Sequence, residues 1–472
     1  MPSRIESKTG FLMFRKGDTM AIFESIQPAI GEEDIRAYQA AFEADPRNRL
    51  ALNAVTKTTA KNVAMNRRAV TRQTHIYSHT VPAGAATSQH SSGRCWMFAG
   101  LNLFRLKAAE QMNLEDFELS QTYLMFWDKF EKANYFLENI LKTLEEPTEG
   151  RLICWLMTDP LQDGGQWDMF VNLVKKYGVI PKSSMPETES SGASGLMNSN
   201  ITYKLRECAS RLRAEYGRGA SLEALRNQKS EMLEAFYRML CIHLGEPPRE
   251  FLWQWRDKDK AFHREGMLTP QQFREKYVAL DLDSMSCLIH CPQSAKSYDT
   301  LYTINYLGNV VGGEIVRYLN VEIESLKQAA IAMIKDGKPV WFGCDVGKTF
   351  DRELGLMDLE LYDYEGLYGL PFAMTKAEEL DYGNSLMTHA MVLTGVDLDD
   401  AGRPTKWRVE NSWGEKGGDK GFMTMTDAWF DAYLYEVVVE KQYLSQKHLT
   451  LLDSEPQGLP PWDPMGSLAG AQ

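Results

Sequence analysis

Hydrophobic positions change their spacing along this chain. As far as about residue 335 they recur at helical intervals; beyond it they crowd into short runs rich in Val, Trp, Phe and Met. Residues 32–75 carry a polar helical pattern with a break at Asp45-Pro46. Phe98, Leu101, Leu103, Phe104 and Leu106 predict a helix from Cys95 to about Met112. Tyr123, Leu124, Phe126, Trp127, Phe130, Phe136 and Ile140 predict another within 117–146, and their aromatic stripe reads as core. Gly164-Gly165-Gln166 opens a helix from Trp167 to Tyr177, the paired glycines marking a close approach of backbone. A Ser/Gly-rich stretch, 183–199, reads as an exposed loop, and 201–277 as helical and heavily charged.

Further on, Ile323, Leu326, Ala329, Ile331 and Ile334 predict a helix over 321–335. Apolar runs at 339–343, 389–395, 406–411, 421–425 and 434–439 then read as strands. Helices early and strands late predict an α+β fold of two lobes with a cleft between them, not alternating βαβ units.

Composition narrows the picture. A chain of 472 residues exceeds the usual size of one core, so subdomains are expected. The net charge of −12 argues against a general affinity for nucleic acid, whose phosphates need a basic face. Lys57, Lys61, Arg67, Arg68 and Arg72 read as a solvated helix face. Seven scattered cysteines, an odd number, fit a reducing compartment with free thiols better than a disulfide scaffold. The apolar cluster Phe11-Leu12-Met13-Phe14 is too short for a secretory signal, and no stretch approaches a membrane span. A cytoplasmic protein is expected, with Met20 as an alternative start.

Candidate chemistry gathers at three places. Cys95 follows the polar loop Gln89-His90-Ser91-Ser92-Gly93-Arg94 and opens a helix. There the macrodipole and unsatisfied N–H groups favour thiolate, the nucleophilic form. Gln89, six positions earlier, is an amide donor within reach of an oxyanion formed beside Cys95. His389 starts an apolar strand and can serve as base; Asn411 ends the next and can hold the imidazole in one tautomer. Trp413 is placed to shield that hydrogen bond. Cys287, His290 and Cys291 lack an obvious fourth ligand and read as a packed cluster, so no metal and no cofactor is expected. His75, His79 and His90 are given no role.

Gln89, Cys95-Trp96, His389 and Asn411-Ser412-Trp413 together resemble the motifs of papain-like cysteine peptidases. The form Ser-Ser-Gly-Arg-Cys-Trp, the long interval from Cys95 to His389 and the ending Trp462-Asp463-Pro464-Met465-Gly466 resemble one branch, that of bleomycin hydrolase and aminopeptidase C. The likeness runs from about residue 50 to the C-terminus. It implies a papain-like two-lobe fold, a helical lobe plus a β-barrel-like lobe, with a large helical insertion. The expected divisions are an N-terminal extension and arm (1–75), a helical lobe (76–200), an inserted helical subdomain (201–285), a β-rich lobe (286–450) and a C-terminal arm (451–472). The resemblance implies a thioester-forming aminopeptidase of broad specificity that takes peptides with a free N-terminus, and a homohexamer.

In that branch the C-terminal arm lies in the cleft, blocks its far end and lets its carboxylate meet the substrate amine. Here the tail runs on through Gly470-Ala471-Gln472, longer than the pattern. Those residues are either trimmed by the enzyme itself or occupy substrate positions. Three alternatives stay open: a papain-like endopeptidase, a Cys-dependent acyltransferase and a non-enzymatic scaffold. Asn411 in place of a carboxylate orienter points away from the acyltransferases.

Overall fold

The computed structural model describes residues 29–470; the alternative start at Met20 and the terminal Ala471-Gln472 lie outside the described residues. Two compact units divide the chain. The smaller joins 29–65 to 362–372. In it the Asp45-Pro46 break separates helices Glu32–Ala44 and Pro46–Val55, because Pro46 takes the first helical position and the Asp45 carboxylate caps Arg47 N–H at 2.9 Å.

The larger unit carries everything else. Helix Cys95–Met112 runs through its middle, and from Cys95 to Arg105 every residue is buried. Helices Gln121–Lys142 and Trp167–Tyr177 pack in the same core as this helix, and strand His389–Leu398 lines the other side. The Ser120 hydroxyl caps the first of these helices, accepting from Tyr123 N–H at 3.1 Å.

One mixed sheet forms the second half. At its centre Leu434–Glu440, Val340–Cys344, His389–Leu398 and Pro404–Glu410 lie side by side, all antiparallel. These strands separate two cores. Trp341, Ala390, Val392 and Val438 face the helical layer, while Phe342, Cys344, Met391, Leu393, Val437 and Val439 face helices Ile323–Lys335 and Asp427–Tyr433. Burial on both faces is why these segments read as continuous apolar runs.

Two expectations need correction. The stretch 183–199 is not an exposed loop. Thr188 and Ser191 cap each other's backbone, Ser191 and Ser194 are buried, and a helix, Gly195–Gly217, already begins there. Within 201–277, helices Gly195–Gly217 and Leu222–Leu244 are present, but Phe251–Arg256 and Phe262–Leu268 form an antiparallel hairpin. Its alternation of Phe251, Trp253 and Trp255 with Leu252 and Gln254 is a period of two inside a charged, helical neighbourhood. Among the described residues, no helix is long and apolar enough to cross a membrane.

Cys287, His290 and Cys291 turn to separate partners. Cys287 lies beside Glu436, His290 Nδ1 faces the Val321 carbonyl at 3.1 Å, and Cys291 Sγ faces Gln293 Oε1 at 3.3 Å. Glu436 is fully buried, and its carboxylate oxygens meet no N–H or O–H donor among the described residues. Burial pushes its carboxyl up to about 8. Between its ordinary 4.5 and about 8, the unfolded chain has released this proton while the folded chain keeps it, so stability falls as pH rises. Glu436→Gln should remove that component. Melting curves of both proteins at pH 5.5 and 8 read the effect, and identical pH slopes would refute it.

Candidate active site

Cys95 is the first helical residue, preceded by Arg94, so its own N–H has no carbonyl four residues back to meet. Its sulfur accepts the backbone N–H of Ala390, the residue after His389. It also neighbours Cys344, which stands opposite His389 across the strand pair. Two residues about 300 positions apart in the chain are thereby brought to one spot, at the seam between the helix and the sheet.

His389 Nε2 lies 2.9 Å from Asn411 Oδ1. The same oxygen accepts the Ser412 N–H at 2.7 Å, so it is an acceptor, and Nε2 carries the ring proton. Nδ1 is then the basic nitrogen of the neutral ring. The Trp413 ring sits 4.9 Å from the imidazole, tilted by 37°, and the Arg352 guanidinium covers the indole at 4.8 Å. Asn411 is 1% exposed. Trp413 therefore lies where shielding was expected of it.

Gln89 joins the group through its neighbours. Ser412 Oγ donates to Gln89 Oε1 at 2.6 Å, and Gln89 N–H donates to the Ser412 carbonyl at 2.8 Å. Its Nε2 donates to the Ser92 carbonyl at 2.6 Å. An amide nitrogen has two hydrogens, so one remains for an oxyanion. All four residues singled out by sequence, Gln89, Cys95, His389 and Asn411, thus occupy one site.

Several supporting residues had been given no role from sequence. Asp163 accepts Gly93 N–H at 2.9 Å and Asn198 Nδ2 at 2.7 Å, and pairs with Lys129 at 2.6 Å, which fixes the loop before Cys95. Burial alone would raise Asp163, but the Lys129 charge and these donors hold its carboxyl well below the usual range. Arg94 is buried and meets Glu187 through both terminal guanidinium nitrogens, at 3.1 and 2.9 Å. Glu410, next to Asn411, accepts Arg105 at 2.6 Å and Asn102 at 2.8 Å, both from the helix that Cys95 begins. Such side chains become legible only when the two elements they join are known to touch.

The C-terminal segment reaches the same place. Ser467 Oγ donates to the Met387 carbonyl at 2.8 Å, two residues before His389. The Leu468 carbonyl lies against Gly164, where a Cβ would stand 2.1 Å from it. A Cβ on Gly165 would fall 2.5 Å from the Trp96 ring. The paired glycines are thus filled from both sides, by the tail and by the indole.

At Cys95 burial works against the helix N-terminus. Burial pushes the Cys95 thiol up to about 11 and the His389 ring down to about 4. Either charge formed alone is penalised by the same burial. An opposite charge nearby would offset that penalty, because a buried medium screens weakly.

A family model, the peptidase C1-like family, matches residues 29–466. Aminopeptidase C of Listeria monocytogenes is 48% identical over 394 residues, 84% of this chain and 88% of its own length. Bleomycin hydrolase of Homo sapiens is 44% identical over 449 residues, 93% and 99% of the respective chains. The crystal structure of PepW from Lactobacillus rhamnosis HN001 matches with a TM-score of 0.92 at 46% identity, covering 93% of this chain and 99% of that one.

Nitrogen NMR of His389 in the enzyme with its Cys95 thiol intact should show the neutral Nε2–H tautomer at pH 7, and in a Cys95→Ala variant the ring should protonate only near pH 4. A ring already charged at pH 6 would contradict the desolvation account.

Proposed function

The chain belongs to the peptidase C1-like family and is a cysteine peptidase, and from that premise we propose that it is an aminopeptidase, removing residues from the free amino ends of peptides. The resemblance carried by Ser-Ser-Gly-Arg-Cys-Trp and the Trp462-Asp463-Pro464-Met465-Gly466 ending is borne out, and the α+β fold is the papain-like one. The observation that carries the exopeptidase reading is the tail docked between Gly164 and Met387, the latter two residues before His389. A peptide has to lie along that groove to reach the sulfur. With one arm of the groove filled, only a chain end can bring its first peptide bond to Cys95.

In this reading Cys95 passes its proton to His389 Nδ1 and attacks the scissile carbonyl. The Cys95 N–H and the free hydrogen of Gln89 Nε2 hold the oxyanion. His389, oriented by Asn411, protonates the leaving amine, and the acyl group remains on sulfur as a thioester. His389 then activates water, which restores the thiol and releases the acid. An endopeptidase remains the second reading for any state in which the tail leaves the groove. Homohexameric assembly, which rests on the family resemblance, and a cytoplasmic location, which rests on the scattered free cysteines, belong to the same proposal.

Cys95→Ala should abolish turnover with melting behaviour intact, and Gln89→Ala should lower kcat by about 100-fold or more with little effect on KM. An active Cys95→Ala protein would overturn the nucleophile assignment. Deleting residues 464–472 should let the enzyme cut amino-blocked chromogenic peptides that the full chain leaves alone. If blocked peptides stay uncut after the deletion, the tail does not set the specificity.

A further inference from the structure

The segment that fills the groove is tied to the body by a charge. Asp463 stands just before the short turn Pro464–Ala469 and serves two partners. Its Oδ1 caps the turn by accepting Met465 N–H at 3.0 Å, and its Oδ2 faces Lys296 Nζ at 2.8 Å. Both side chains are almost wholly enclosed, 8% and 4% exposed.

Lys296 is a fixed post. Its ammonium also donates to Gln293 Oε1 at 2.5 Å, and Gln293 Nε2 donates to Asp381 Oδ1 at 2.6 Å. The loop that carries it is pinned by buried Asn320. That side chain donates to the carbonyls of Cys291, Lys296 and Ser297 at 3.1, 3.3 and 3.2 Å and accepts Cys291 N–H at 2.9 Å. Asn320 itself lies on strand Tyr318–Asn320, inside the main sheet.

A buried ion pair tolerates little displacement, because separating its members leaves two charges without water or partner. Among the described residues, the other holds on the tail include no ion pair: strand Gln457–Leu459 pairs with Thr300–Ile304, and Met465, Leu468 and Ala469 are buried in the core by apolar packing, which is non-directional. Trp462 lies under the Arg151 guanidinium at 3.7 Å and edge-on to Trp155 at 6.5 Å, stacking contacts that permit sliding. Ser467 makes one neutral hydrogen bond to Met387.

We propose that Lys296 is a positioning residue for the substrate's amino end: through Asp463 it fixes where the Pro464–Ala469 turn rests against Gly164 and Met387. This deepens the tail reading above and rests on it. Lys296 touches neither Cys95 nor, in this assignment, the substrate; it acts by setting the location of the segment that does.

Two full-length variants test the assignment. Lys296→Met removes the charge at similar volume, and Asp463→Asn keeps the cap on Met465 N–H while losing the pair. Kinetics on an amino-acid anilide with a free amine and on its N-acetylated counterpart should separate kcat from KM. In either variant KM for the free-amine substrate should rise about tenfold or more, with a much smaller change in kcat, and hydrolysis of the acetylated substrate should appear. The double variant should be no worse than either single one, because both break the same pair. A parallel loss on both substrates with unchanged selectivity would reduce Lys296 to a support of the fold and overturn the proposal. If deletion of 464–472 opens the groove while Lys296→Met keeps the parent's selectivity, the latch alone fails; if the deletion changes nothing, the tail reading fails with it.

Discussion

The catalytic geometry hangs on a buried ion pair that lies behind it. Glu410 takes Arg105 and Asn102 from the helix that Cys95 begins, and the next residue after Glu410 is Asn411. Apolar packing between a helix and a sheet is non-directional and would allow the two to slide. A carboxylate held at 2.6 and 2.8 Å does not slide. Removing one partner of such a pair costs about 3–5 kcal/mol, since the other stays charged and dry. The pair thus adds register to an interface whose affinity comes from Trp96, Trp341 and their neighbours.

Around that register the site is organised by shared acceptors. Asn411 Oδ1 serves the imidazole and the Ser412 backbone, and Ser412 in turn holds Gln89. The orienting amide and the oxyanion donor are therefore one connected unit, although they come from opposite ends of the sequence. The enclosure around this unit also penalises a charge formed on Cys95 or His389 alone.

The sequence made the elements legible where one physical rule dominated. Helix bounds at Cys95, Met112, Trp167 and Tyr177 were set by caps, glycines and apolar spacing, and the structure has the same ends. The central strands announced themselves by double-sided burial. Local rules failed where long-range contacts decided. The 251–268 hairpin hides in a charged helical context, and Ser191 and Ser194 are buried by partners that polarity alone cannot reveal. The four reactive groups were readable as types in an order. Arg105, Asp163 and Glu410 were not, because their meaning lies in which elements meet.

In the proposed tail reading the groove's occupant belongs to the same chain, and such an occupant cannot be diluted away. Its local concentration is set by the tether and is of millimolar order for short linkers, whatever the concentration of protein. Any peptide or inhibitor that needs the occupied arm must therefore outcompete a rival that is always present, whereas one confined to the open arm meets no rival. Chemical matter built for the open arm alone would keep its potency across dilution, and matter spanning both would forfeit much of its contact energy to eviction.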